Sequence, residues 1–153
     1  LAELPSYESF ANQAELLDMW TAFLSFRDNV LKALEEARNE KLIGKSLEAK
    51  VTIYPSQPLA DLLTAVDADL AQLLIISPDF FEIKEAGSAA PEAALQFEDG
   101  AILIEKADGE VCDRCRQVRT DVGVDEKLPT LCGRCAHLVE EYYPEAVAEG
   151  FEK

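Results

Sequence analysis

Two Cys-x-x-Cys pairs constrain this chain more than any other feature. Cys112 and Cys115 bracket Asp113-Arg114, Cys132 and Cys135 bracket Gly133-Arg134, and sixteen residues lie between the pairs. A gap of two residues lets both sulfurs of a pair reach one ion from a single tight turn. Zinc accepts four thiolates tetrahedrally, with no directional demand from its filled d shell. Four thiolates leave no open position for a catalytic water, so the pattern predicts one structural Zn2+ held by Cys112, Cys115, Cys132 and Cys135. Gly133 is expected to supply unusual backbone angles inside the second knuckle. In small zinc modules the metal contributes about 10–16 kcal/mol of apparent folding free energy. A tail this poor in apolar residues needs that contribution.

Two other cysteine chemistries fit less well. Disulfides require an oxidising compartment, and nothing near Leu1 resembles a secretion signal. A thioredoxin-like redox pair needs one Cys-x-x-Cys opening a helix after a strand, not two pairs flanking a loop. The single histidine, His137, follows the last cysteine by two residues and reads as a surface residue at the start of a closing helix. A cytoplasmic setting is expected on these grounds.

Charge sets the next limit. The chain has 153 residues and a net charge of −16, which argues against an autonomous nucleic-acid binder. The acid is unevenly spread: residues 47–110 carry 13 acidic and 3 basic residues, and residues 112–135 carry 4 acidic and 5 basic. The finger is the least acidic part. An apolar content of 48% predicts a globular chain. No apolar run is long enough to cross a membrane.

Patterning predicts an α+β chain in three parts: a long bundle-type helix (1–46), a small mixed α/β junction (47–110), and a four-cysteine zinc finger with a closing helix (111–153). Residues 1–10 read as irregular. Asn12 with Glu15 reads as a capping box opening a helix that runs to about Lys41 and ends at Gly44. Its apolar face is Leu16, Trp20, Phe23, Leu24, Val30, Leu31, Leu34 and Ala37. Such length suggests the last helix of a larger bundle. Residues 46–54 alternate as a strand stopped by Pro55, and residues 56–71 read as a helix with Pro58 in its first turn. A buried strand is expected at 73–76 and another at 80–85. A hairpin is expected around Asp99-Gly100, and a closing helix over 137–143.

Two stretches resemble one family. They are Lys32-Ala-Leu-Glu-Glu-Ala-Arg38 with Lys41-Leu-Ile-Gly-Lys-Ser-Leu-Glu-Ala-Lys-Val51, and Lys106-Ala-Asp-Gly-Glu-Val-Cys112-Asp-Arg-Cys115 with Leu131-Cys-Gly-Arg-Cys135. Together they resemble the C-terminal region of bacterial isoleucyl-tRNA synthetase, a class I aminoacyl-tRNA synthetase. The finger pattern is shared with formamidopyrimidine-DNA glycosylase-type fingers. The resemblance implies a parent enzyme that joins isoleucine to its tRNA with ATP, and a portion here that binds the anticodon end. The family's His-Ile-Gly-His and Lys-Met-Ser-Lys-Ser signatures are absent, so this portion is expected to bind and not to catalyse. The implied partners are isoleucine tRNA and the rest of the synthetase, with no DNA and no membrane. The family often has tryptophan after the second cysteine, where this chain has Arg116.

The candidate RNA contacts are Arg114, Arg116, Arg119 and Arg134 on the finger, because guanidinium forks match phosphate oxygens and stack on bases. Lys32, Arg38, Lys41 and Lys45 form a second basic strip; the plain alternative is a solvated helix face paired with Glu35, Glu36 and Glu40. Trp20 reads as core, and Tyr142 with Tyr143 as cover for the finger. A different class also fits the pattern: a zinc-ribbon module that docks a basic protein surface.

Overall fold

A computed structural model describes residues 11–66 and 68–145; the expectation for residues 1–10 lies outside these. The first helix, α1, spans Gln13–Asn39. Asn12 stands at its N-cap, but its side chain makes no capping bond, so the expected capping box does not form. The face turned inward is Phe23, Phe26, Val30, Ala33, Leu34 and Ala37. Leu24, expected among them, is 52% exposed. Spacings of three and four fit two neighbouring stripes, and the inner stripe includes Phe26, whose ring lies 6.3 Å from that of Phe97. Trp20 stacks edge-on against Phe23 at 5.5 Å and packs on the core, as its position predicts. Full burial of side chains such as Phe23 and Leu34 stabilises the fold by roughly 1.5–3 kcal/mol each.

Gly44 does not end α1. Lys41 does, in a left-handed conformation at φ 61°. Its amide donates to the Arg38 carbonyl (3.0 Å), and the Leu42 amide donates to the Ala37 carbonyl (2.9 Å). This crossed pair satisfies the last free carbonyls of the helix. A single 3-10 turn over Ser46–Glu48 then leads into β1, Ala49–Pro55, so the strand starts three residues later than alternation alone indicates.

Beyond Pro55, Ser56 caps α2 (Gln57–Ala65) by accepting the Leu59 amide at 3.4 Å, with Pro58 in the first turn. The expected single helix is divided. Asp69 accepts the Gln72 amide at 3.1 Å and starts α3 (Leu70–Leu74). The run at 73–76 is thus a helix end and not a strand, because a short apolar run fits a buried helix as well as a strand. Ile75 leaves α3 in the left-handed region, at φ 58°.

Strand β2 (Phe81–Ile83) pairs parallel to β1, with Val51 opposite Phe81 and Ile53 opposite Ile83. Strands β3 (Leu95–Phe97) and β4 (Gly100–Lys106) form the expected hairpin. Its turn is Glu98-Asp99, one residue earlier than predicted, since Phe97 pairs with Gly100. Gly100 is paired with Pro55 and Phe97 and so belongs to the strand, and the backbone leaves no room for a side chain: a Cβ there would lie 2.2 Å from the Tyr54 carbonyl oxygen. The sheet order is β2-β1-β4-β3, antiparallel except for β1–β2.

One sheet face carries Val51 and Ile53 beside Ile104 and Ile102. It packs with residues of α1, α2 and α3 in a single core. The other face carries Thr52 beside Leu103 and Lys50 beside Glu105, the last two ion-paired at 2.8 Å. A second, smaller core belongs to the cysteine segment, with Leu128, Leu131, Ala136 and Val139 around the buried sulfurs. Its elements are β5 (Glu110–Val111), β6 (Val118–Arg119) and α4 (Gly133–Tyr142). The closing helix starts four residues before His137, so His137 lies within it. His137 is exposed and faces Glu141 at 3.5 Å. The architecture is α+β.

Candidate metal centre

The first knuckle closes when the Arg116 amide donates to the Cys112 carbonyl at 2.8 Å. That turn requires Arg116 to take φ 62°, in the left-handed region. The Cys112 amide then donates to the Gln117 carbonyl (3.0 Å), which starts the β5–β6 ladder. In the second knuckle the Ala136 amide donates to the Cys132 carbonyl at 2.9 Å, as the first turn of α4. Gly133 needs no unusual φ, which corrects the expectation from sequence. Close approach favours glycine: a Cβ would meet Asp121 Oδ2 at 3.0 Å and push that side chain aside, and the Gly133 amide donates to the same oxygen at 3.0 Å. The carboxylate of Asp121 thereby caps α4, since Cys132 at the N-cap offers no side-chain bond.

The loop between the knuckles brings the two pairs together. Val122 bridges Cys132, the Gly123 amide donates to the Leu131 carbonyl (3.0 Å), and the Asp113 amide donates to the Thr130 carbonyl (3.0 Å). As a result the four Sγ atoms lie within 4.8 Å of one another. Cys112, Cys132 and Cys135 are buried and Cys115 is half-buried, and all four are free thiols. Four sulfurs around one zinc at ~2.3 Å would stand about 3.8 Å apart, so this arrangement fits a single tetrahedral ion. The donor set is closed, and the centre is structural.

The sulfurs are tuned unevenly. Burial opposes ionisation of Cys112, yet backbone N–H groups of Cys115, Cys132 and Arg114 lower its pKa to about 6. The Cys132 amide is a resolved donor, 3.3 Å from Cys112 Sγ. Burial, aided by the neighbouring sulfurs, raises Cys132 to about 12 and also raises Cys115. A cluster with one ready thiolate and three sulfurs beside it suits a cation that replaces protons.

The arginines divide by role. Arg114 is exposed, and its Nη1 donates to Cys135 Sγ at 3.7 Å, which raises its pKa further. Arg116 is 70% exposed and pairs loosely with Asp113 at 3.3 Å. Arg134 is exposed. Arg119, expected to face solvent, turns inward: its side chain is 16% exposed, and Nε lies 3.0 Å from Asp79 Oδ2 and 3.7 Å from Asp121 Oδ1. On α1 and its exit, Lys32, Lys41 and Lys45 are exposed, while Arg38 pairs with Glu35. Tyr142 and Tyr143 are 64% and 61% exposed and do not cover the finger as expected. Sequence reasoning missed Ser77, Asp79 and Asp121. Their partners lie 12 to 41 residues away, and no local spacing announces such contacts.

Fold and centre together define a small α+β unit bearing a tetracysteine zinc finger. Residues 109–138 match the family described as "Zinc finger found in FPG and IleRS". The resemblance to bacterial isoleucyl-tRNA synthetase holds along the whole chain. The sequence is 72% identical over 152 residues to an isoleucine–tRNA ligase of Enterococcus faecalis, a match covering 99% of this chain. The ligases of Lacticaseibacillus casei (56%) and Streptococcus pneumoniae (53%) each match all 153 residues. In each case the chain spans 16% of the relative's length. Among the described residues no helix is long and apolar enough to cross a membrane.

Proposed function

We propose that this chain is the C-terminal, anticodon-end tRNA-binding portion of a cytoplasmic isoleucine–tRNA ligase. The parent enzyme would attach isoleucine to its tRNA with ATP, and the reaction itself would occur elsewhere in that enzyme. In this reading residues 1–46 end the helical anticodon bundle, residues 47–110 form the junction, and residues 111–153 form the finger. The observation that carries it is the set of exposed guanidinium groups, Arg114, Arg116 and Arg134, within or beside two metal-binding knuckles.

Zinc, when bound, supplies rigidity and no chemistry. The knuckle turns hold Arg114 and Arg134 on short, hydrogen-bonded backbone, which lowers the ordering cost of each contact they make. Arg116 and Arg114 suit phosphate oxygens or the face of an unstacked base. Lys32 on α1 and Lys41 and Lys45 on its exit suit the tRNA backbone as point charges. With Arg38 already paired to Glu35, its part in binding requires exchange of that partner.

The test is titration of isoleucine tRNA into the zinc-loaded chain and its Arg114→Ala, Arg116→Ala and Arg134→Ala variants across a salt series. Each lost phosphate contact reduces the salt slope by about 0.7–0.9. Unchanged affinity and unchanged slope in all three variants would reject the reading. Binding of a basic protein surface in place of RNA would favour the interaction-module alternative.

A further inference from the structure

We propose that Arg119 is a positioning residue: it fixes the zinc finger on the α/β body, and it couples that orientation to the metal centre. The argument rests on a continuous run of contacts. Asp79 lies in the 3-10 turn Pro78–Phe80, which leads directly into β2 of the α/β body. Its Oδ2 faces Arg119 Nε at 3.0 Å and accepts both the amide (3.0 Å) and the hydroxyl (3.1 Å) of Thr120. Arg119 Nε also faces Asp121 Oδ1 at 3.7 Å. The other oxygen of Asp121 accepts the Gly133 amide at 3.0 Å, inside the second knuckle. One guanidinium thus stands between a carboxylate of the turn that enters β2 and a carboxylate that holds a zinc-binding turn.

Three features distinguish this from an ordinary surface ion pair. The Arg119 and Asp79 side chains are only 16% and 19% exposed, so solvent screens them little. The Arg119 Nε–H aims squarely at neither oxygen, and among the described residues neither it nor Asp121 Oδ1 has a hydrogen-bond partner. The attraction is ionic and shared between two acids, so a change on one side is felt on the other. Finally, the direct apolar contact between finger and sheet here is small: Phe80, Ala107 and Val118 form a cluster of three. With so little apolar surface, direction must come from charged and hydrogen-bonded groups. Groups that hold metal ligands from behind affect metal retention, and their loss typically costs 10–100-fold in affinity.

The test uses the whole zinc-loaded chain. Amide residual dipolar couplings would be collected for β1 and β4 on one side and for β6 and α4 on the other. The variants are Arg119→Gln, Asp79→Asn and Arg119→Lys. In Arg119→Gln each unit should keep its own internal couplings while the two no longer share one alignment frame, and transfer of zinc to a chelator should quicken by roughly tenfold. Asp79→Asn, which keeps an oxygen for Thr120, should reproduce the loss of shared alignment if Arg119→Gln does not fold. Arg119→Lys should restore part of the alignment, since charge is kept and the fork is lost. A shared frame and unchanged zinc transfer in both neutral variants would overturn the proposal. The consequence for RNA rests on the tRNA-binding reading, and it is separable. If alignment and zinc transfer respond while tRNA affinity does not, the positioning role stands and the RNA reading fails.

Discussion

The buried hydroxyl of Ser77 accepts the amide of Val118 at 3.1 Å and donates to the Leu47 carbonyl at 2.9 Å. A single side chain therefore joins three distant segments: the entry to β1, the turn before β2, and strand β6 of the finger. Ser77 is 0% exposed, so no water is at hand to replace it. Ser77→Ala should cost about 2–3 kcal/mol, because it strands the buried Val118 amide and removes the donor of the half-buried Leu47 carbonyl. Chemical denaturation of the zinc-loaded chain measures the loss; a change under about 0.5 kcal/mol would show that the groups find other partners.

Two glycines with positive φ should respond differently to alanine. At Gly100 a Cβ meets the Tyr54 carbonyl oxygen at 2.2 Å, whereas at Gly87 no atom of the described residues lies within 4 Å. Gly100→Ala should destabilise by about 3 kcal/mol or more, since backbone must move. Gly87→Ala should cost only about 1–2 kcal/mol, the penalty of left-handed geometry for a residue with a Cβ. Thermal melts of the two variants compared side by side decide it.

Lys41 combines a strained backbone with a proposed RNA contact. At φ 61° glycine is the better residue, so Lys41→Gly should stabilise by roughly 0.5–1 kcal/mol. The same variant should weaken tRNA binding. Opposite signs in a melt and in a binding titration would separate the two roles of one residue.

Chelation of zinc should undo the finger first. Its core of Leu128, Leu131, Ala136 and Val139 is assembled around the cysteines, whereas the sheet has its own core with α1. Amide exchange in α4 should become fast on metal removal, while Val51, Ile53 and Ile102 stay protected. Loss of protection in both groups together would show one cooperative unit.

Zinc uptake should release protons. Near neutral pH Cys112, at about 6, is ionised, whereas Cys132, at about 12, and Cys115, raised by burial, hold their protons. The ion needs thiolates, so these protons must leave. Affinity should therefore rise with pH above ~7 and fall as pH drops, with a further proton to displace once Cys112 is itself protonated below about 6. An indicator-dye titration in weak buffer counts the protons. Release of none at pH ~7.5 would contradict this charge distribution.

The features legible in the sequence are those fixed by local pattern. The four ligands follow from spacing. Ser56 with Pro58 marks the start of α2, and alternation marks Ala49, Val51 and Ile53 as one buried stripe. What sequence misplaced depends on contacts that spacing does not encode. Phe26 stands in place of Leu24 on the inner face of α1 because Phe97 lies there to receive it. The division between α2 and α3 depends on Asp69 competing as a cap within a run that reads as continuous helix. Arg119 looks like its neighbours in a basic loop, and only Asp79, far earlier in the chain, turns it inward.

The shared core of α1 and the sheet has a mechanical result. At 27 residues, α1 is about 40 Å long; one face is buried from Phe23 to Ala37, against β4, α2 and α3, while Leu17 and Leu24 are exposed. Such a rod is a crank set in a hub. A small twist applied near Gln13 would swing the sheet as one body instead of being absorbed by a flexible joint.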